Sequence, residues 1–126
     1  MRHNHATVKV FLVEDSPLLR ERLEKMLAAI PGAQSVGHAP AAESAIAGIE
    51  AARPDVVVLD IQLEHGSGFD VMRAVRPKQP QVGFYVLTNF AHEGYRRMAE
   101  KLGARGFFDK SREIEALQAA LRAAVA

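Results

Sequence analysis

Four consecutive aliphatic residues, Val56–Leu59, framed by Pro54-Asp55 before and Asp60 after, set the tightest limit on how this chain can fold. A strand with no polar residue on either face is covered on both sides, as in parallel sheets wrapped by crossover helices and unlike half-wet antiparallel ones. The rest of the chain supplies the wrapping, because strand-like and helix-like stretches alternate along it, five of each.

The first strand is predicted near 7 to 13, followed by Ser16-Pro17, a cap and a proline at the first helical position. Asp15 can share that cap. Leu19, Leu23, Met26, Leu27 and Ile30 recur at helical spacing until Pro31-Gly32 stops them. A weak strand near 34 to 38 precedes a helix near 40 to 52, with Ala42, Ala45, Ile46 and Ile49 on one side. Gly48 makes this the softest helix, since glycine there costs about 1 kcal/mol against alanine. After the third strand, Ser67 and Asp70 predict a capping box for a helix carrying Phe69, Met72 and Val75, ended by Pro77 and Pro80. Val82 to Thr88 reads as the fourth strand. The fourth helix is predicted over about 91 to 102, with Tyr95, Met98, Ala99 and Leu102 inward and Arg96, Arg97 and Lys101 solvated. Gly106 to Asp109 is a fifth strand, whose alternation turns only one of Phe107 and Phe108 inward. Ser111 is the expected cap of a last helix with Ile114, Leu117, Leu121 and Val125 facing the core.

At 126 residues and 48% hydrophobic content the chain fits one domain with its own core. A polar leader over 1–6, containing His3 and His5, precedes a single unit over 7–126, with no second domain expected. The net charge of +1 is spread along the chain, so there is no basic arm for nucleic acid or a membrane surface. Absence of cysteine excludes disulfides, thiolate zinc sites and a cysteine nucleophile. The early apolar run meets Glu14 and Asp15 at once, unlike a signal peptide or a membrane span, and a cytoplasmic location is expected.

Chemistry enters through the strand ends. Glu14-Asp15 closes the first strand and Asp60 the third; in an open parallel sheet those ends share the edge at which ligands bind. Carboxylates brought close together bind a proton or a cation. A small set of oxygen ligands with open positions suits Mg²⁺, and a carboxylate beside it can attack phosphorus. Such transfer needs a further cation and a hydroxyl for the phosphoryl oxygens. Thr88 and Lys110, at the ends of the fourth and fifth strands, fit both needs. Taken singly, each is more often ordinary: Asp60 a turn residue, Glu14-Asp15 a helix cap, Thr88 a β-branched strand residue, Lys110 a solvated charge. Together the ordinary readings require four coincidences. His38, His65 and His92 are scattered singly and are assigned no chemistry.

With VFLVED, VVVLD, YVLTN and GFFDK in place, the chain resembles the response-regulator receiver domains of two-component signalling over essentially its whole length. Gly68, eight residues after Asp60, matches as well. The resemblance implies an α/β fold of flavodoxin-like type, a doubly wound five-stranded parallel sheet of order 2-1-3-4-5 with five helices. It implies that Asp60 takes a phosphoryl group from the phosphohistidine of a sensor histidine kinase or histidine phosphotransfer protein. Glu14, Asp15, Asp60 and the Gln62 backbone carbonyl would hold Mg²⁺, while Lys110 and Thr88 grip the phosphoryl oxygens. Phe107 would be the aromatic that turns inward as Thr88 moves. Gln62 and Phe90, each two residues past a key position, would act on the attacking water, and an apolar Phe90 implies slow dephosphorylation. The upstream donor would dock near Pro17, Leu18 and Ser111. A downstream protein or a second copy would meet the face of the fourth helix, fifth strand and fifth helix, without nucleic acid or membrane and without a dedicated enzymatic activity.

Three positions depart from the family pattern. Ser111 replaces a frequent proline after the lysine; a non-proline cis bond costs roughly 2.5–4 kcal/mol, so a trans bond with a differently placed loop is expected. Asn89 is bulkier than usual and Glu64 stands where proline is frequent. Among rival functions, a haloacid-dehalogenase-like phosphatase needs a second aspartate where Gln62 stands. A flavodoxin-like binder needs a phosphate loop that Glu14-Asp15 would repel, and there is no Walker A loop. A phosphorylation-independent interaction module of this fold and a phosphorelay intermediate remain open.

Overall fold

A computed structural model describes residues 7–126; the 1–6 leader, with His3 and His5, lies outside the described residues. Strands β1 (Val8–Val13), β2 (Ala33–Ala39), β3 (Val56–Leu59), β4 (Gly83–Thr88) and β5 (Gly106–Asp109) form one parallel sheet in the order β2-β1-β3-β4-β5. Helices α1 (Pro17–Ala28), α2 (Ala42–Ala52), α3 (Gly68–Val75), α4 (Glu93–Lys101) and α5 (Ile114–Val125) connect the strands and follow the last one. This is the flavodoxin-like architecture expected from the chain. Among the described residues, no helix is long and apolar enough to cross a membrane.

The all-aliphatic β3 sits at the centre and splits its side chains between two cores. Val57 and Leu59 pack with α2, α3 and α4 residues such as Ile49, Met72 and Ala99. Val56 and Val58 pack with α1 and α5 residues such as Leu23, Leu27, Leu117 and Leu121. Because helices cover both faces, Phe107 enters one core and Phe108 packs against the other. The expectation that only one of them turns inward is corrected: alternation in a doubly covered sheet chooses between two interiors.

Local starts and stops follow the sequence where the signal is short-range. The Ser16 hydroxyl accepts from Leu19 N–H at 3.3 Å with Pro17 leading α1. The Asp15 carboxylate leaves that cap and binds Glu64 N–H instead. The Ser67 hydroxyl accepts from Phe69 N–H at 3.1 Å, but Asp70 turns toward Arg73 at 3.5 Å. The capping box is therefore half-made, since aspartate lacks the reach of the usual glutamate. Ser111 does not cap α5, which starts after Glu113. Its hydroxyl and its N–H both donate to Asp109 Oδ1, at 2.6 and 2.8 Å, a local turn that competes with helix initiation.

Gly48, the soft position of α2, also has a packing role. A Cβ there would stand 2.6 Å from Phe11 Cζ, and one on Gly37 would stand 2.9 Å from Phe11 Cε2. The Phe11 ring is therefore seated between α2 and β2 in space that only glycines leave, and what looked like a soft helix position is a packing requirement.

Candidate functional site

Sheet register brings the polar strand ends together. Val13 pairs with Leu59 and Leu59 with Val86, so Glu14 and Asp60 follow neighbouring strand ends, and Thr88 pairs with Asp109, one residue before Lys110. Backbone bonds continue the ladder past the strands: Asp60 N–H donates to Val13 O at 3.1 Å, and Lys110 N–H to Thr88 O at 2.9 Å. Among the described residues four polar or charged side chains are buried, and Glu14, Asp60 and Thr88 are three of them. Burial of polar groups at one edge marks a built pocket, because each must find partners away from water.

The partners are specific. Lys110 Nζ lies 2.6 Å from Asp60 Oδ2 and 3.0 Å from Glu14 Oε1. Asp60 Oδ1 accepts from Gln62 N–H at 3.1 Å, and Glu14 Oε2 from Ser16 N–H at 3.0 Å. The less buried Asp15 uses Oδ2 to accept from Glu64 N–H at 2.7 Å, which ties the β3–α3 loop to the end of β1. One oxygen from each of Glu14, Asp15 and Asp60 falls within 4.8 Å of the others. Gly68 closes the loop from the far side: its N–H donates to Ile61 O at 2.9 Å, and a Cβ there would come 2.2 Å from the Asp60 carbonyl oxygen.

Burial pushes the Glu14 carboxyl above its ordinary value, against the opposing pull of Ser16 N–H and Lys110. Burial works against the Lys110 ammonium too, but hydrogen bonds to Asp60 and Glu14 outweigh it and hold lysine above its ordinary value. The two shifts agree physically, since Lys110 gains two partners while Glu14 shares one. Asp109, in the same turn, is held low by the Ser111 hydroxyl and N–H.

Lys110 thus reaches the pocket although no cis peptide bond occurs among the described residues. The trans bond expected before Ser111 is present, and the lysine is placed by the β4–β5 ladder. Thr88, fully buried, accepts from Phe90 N–H through Oγ1 at 3.1 Å. That leaves its O–H free to donate. Gln62 is exposed and enters the pocket through its backbone N–H. Phe90 is 44% exposed and meets Tyr95 edge-on at 6.4 Å. Phe107 is 7% exposed, with its ring packed into the core beneath α4. Leu18, at the start of α1, is 79% exposed.

Two contacts were not legible beforehand. Arg96, grouped with solvated Arg97 and Lys101, is half-buried, with its guanidinium carbon 4.7 Å from the Phe107 ring centroid. Its place beside the inward row Tyr95, Met98, Ala99 and Leu102 was the available hint. Tyr95 gathers Phe69 at 5.9 Å and His92 at 4.1 Å into an aromatic group at the head of α4.

Comparison with known proteins places this geometry in context. Residues 10–122 match the family model described as the response regulator receiver domain. The DNA-binding transcriptional activator DevR/DosR of Mycobacterium tuberculosis is 37% identical over 103 residues, covering 82% of this chain and 48% of that protein. The response regulator GacA of Pseudomonas aeruginosa is 30% identical over 115 residues, covering 91% of this chain and 54% of that protein. A crystal structure of a LuxR-family two-component response regulator from Aurantimonas sp. SI85-9A1 superimposes with a TM-score of 0.87 at 27% identity, covering 94% of this chain and 85% of that one. The chain spans about half the length of the curated relatives it matches.

Proposed function

The chain belongs to the response regulator receiver domain family, and from that premise we propose that Asp60 accepts a phosphoryl group from a phosphohistidine and that the domain signals through a changed protein-binding face. The observation that carries this reading is the Lys110 ammonium held between Asp60 and Glu14 at the carboxyl edge of the sheet. One carboxylate oxygen of Asp60 attacks phosphorus as the P–N bond breaks, and the electron pair leaves on the imidazole nitrogen, which takes up a proton. Gln62 N–H and Lys110 orient the Asp60 carboxylate for that attack. Lys110 and the free Thr88 O–H then meet the phosphoryl oxygens, with Lys110 releasing part of its hold on Asp60.

Receiver domains typically bind Mg²⁺ at an acidic cluster, and the donor set fits it: three carboxylates against one ammonium leave an excess of negative charge that a divalent cation offsets. Glu14, Asp15 and Asp60, with the Gln62 carbonyl, would hold the ion. When bound, it supplies neutralisation of the phosphoryl oxygens during transfer.

The phosphohistidine donor, a sensor histidine kinase or phosphotransfer protein, docks beside the pocket over Pro17, Leu18 and Ser111, of which Leu18 is an exposed apolar side chain. Output leaves by protein contact at the α4, β5 and α5 face, to a downstream protein or a second copy, with no nucleic acid in that contact. The unit turns over no metabolite and works in the cytoplasm. Intact mass measurement after treatment with acetyl phosphate tests the reading. One added phosphoryl group is expected on the parent with Mg²⁺, and none with EDTA or in Asp60→Asn. A parent that gains nothing, or an Asp60→Asn protein that gains as much, would overturn it in favour of a phosphorylation-independent module.

A further inference from the structure

Phe107 lies on β5, an edge strand of the sheet among the described residues. Its ring nevertheless sits inward at 7% exposure while Thr88 still holds Phe90 N–H. The inward ring is therefore not waiting on the threonine to move, and another contact must keep solvent from its outer face. That contact is Arg96. The ring forms part of a groove of about 210 Å³ between α4 and β5, which Arg96 lines together with Glu100, Ala104, Arg105 and Gly106. Arg96 stands over the ring at 4.7 Å.

The partners available to Arg96 sharpen the point. Glu100 lies four residues on, at the spacing for a helical ion pair, yet among the described residues Arg96 makes no salt bridge. Arg105, the other cation of the groove, directs its guanidinium to Gln81 O at 3.4 Å. Among the described residues Arg96 is the cation that lies over the ring. A guanidinium is planar and weakly hydrated, so it can lie flat on an aromatic face where an ammonium cannot. Its helix is also the least anchored: Ala99 is the single buried residue of α4.

We propose that Arg96 is a positioning residue that latches Phe107 into its inward packing and so presets the switch between α4 and β5. The regulatory part rests on the reading above, in which phosphorylation of Asp60 is reported through Thr88 and Phe107. The latch itself does not, since it stands on the contact of Arg96 with the Phe107 ring.

Incorporation of 4-fluorophenylalanine at position 107 gives one fluorine resonance at the ring in the full chain. In the parent without phosphodonor the resonance is expected at a buried position, insensitive to exchange of H₂O for D₂O. Arg96→Ala is expected to lower the inward-to-outward ratio about two- to fivefold, the range of a partly exposed cation–π contact. Arg96→Lys should recover only part of that loss, and Arg97→Ala should change nothing. A resonance in Arg96→Ala that keeps the parent's position and isotope response overturns the latch. Acetyl phosphate with Mg²⁺ then separates the two claims, with the phosphoryl group confirmed by mass. Return of the Arg96→Ala resonance to the buried position supports both. A phosphorylated Arg96→Ala protein whose ring stays outward overturns the coupling of Asp60 to Phe107 and leaves the latch standing.

Discussion

Glu14 is 4% exposed and shares the Lys110 ammonium with Asp60, so its charge is taken out of water for half a partner. Burial lifts its folded-state pKa above the ordinary 4.5. The folded chain therefore holds this proton more tightly than the unfolded chain does. The stability it contributes is complete below about pH 4.5 and is lost as pH rises through the lifted value. Glutamine mimics the protonated form at every pH. In metal-free buffer Glu14→Gln is expected to melt above the parent at neutral pH, with the gap closing below the ordinary glutamate value; a gap of constant size across that range would refute the burial account. Phe90 sets the other residue-scale expectation. Exposed, apolar and set edge-on to Tyr95, it offers the pocket no group to orient water. The aspartyl phosphate should decay slowly, and Phe90→Glu should speed its loss about tenfold, below the roughly 10²-fold of a well-placed base. Phosphate release after removal of donor measures both rates, and equal rates would discard the role given to Phe90.

Where elements meet, Gly48 separates helix propensity from packing. Alanine would favour α2 by about 1 kcal/mol as an isolated helix. In the folded chain the added Cβ would lie 2.6 Å from Phe11 Cζ, and overpacking of this kind costs about 1–3 kcal/mol. Gly48→Ala is expected to lose about 1 kcal/mol net in urea unfolding, and Phe11→Leu in that background to recover part of it through a favourable coupling term. Stabilisation by Gly48→Ala alone would mean that the ring yields without cost. The same case explains what could be read in advance. Ser16-Pro17, the aliphatic β3 and the polar residue at each strand end are signals carried within a few positions, and they located the elements and the candidate pocket. The seat of Phe11 against Gly48 and the cover of Phe107 by Arg96 join residues far apart in the chain, and periodicity holds no record of them. Ser111 failed for a different reason: its hydroxyl and N–H both donate to Asp109 and set a turn there, so α5 begins only after Glu113.

At the scale of the molecule, a sheet packed on both faces carries one weakly anchored helix, α4, beside a pocket of excess negative charge. The rigid part fixes the carboxylates, so an ion bound there binds the folded chain alone and must raise its stability. The gain follows the logarithm of concentration and reaches about 2.7 kcal/mol at one hundred times Kd. Asp15 is the informative residue for testing this. It makes no hydrogen bond or ion pair with Lys110, whereas Glu14 and Asp60 both do, so Asp15→Asn removes a ligand charge without breaking the buried ion pair. The amide oxygen of asparagine can still accept from Glu64 N–H, which keeps the β3–α3 loop in place. Asp15→Asn is therefore expected to melt close to the parent in EDTA and to lose most of the rise that Mg²⁺ gives the parent. An ionic-strength control with NaCl removes general screening. If Asp15→Asn rises with Mg²⁺ as steeply as the parent, the ion binds elsewhere, and the three carboxylates at the sheet edge act through Lys110 alone.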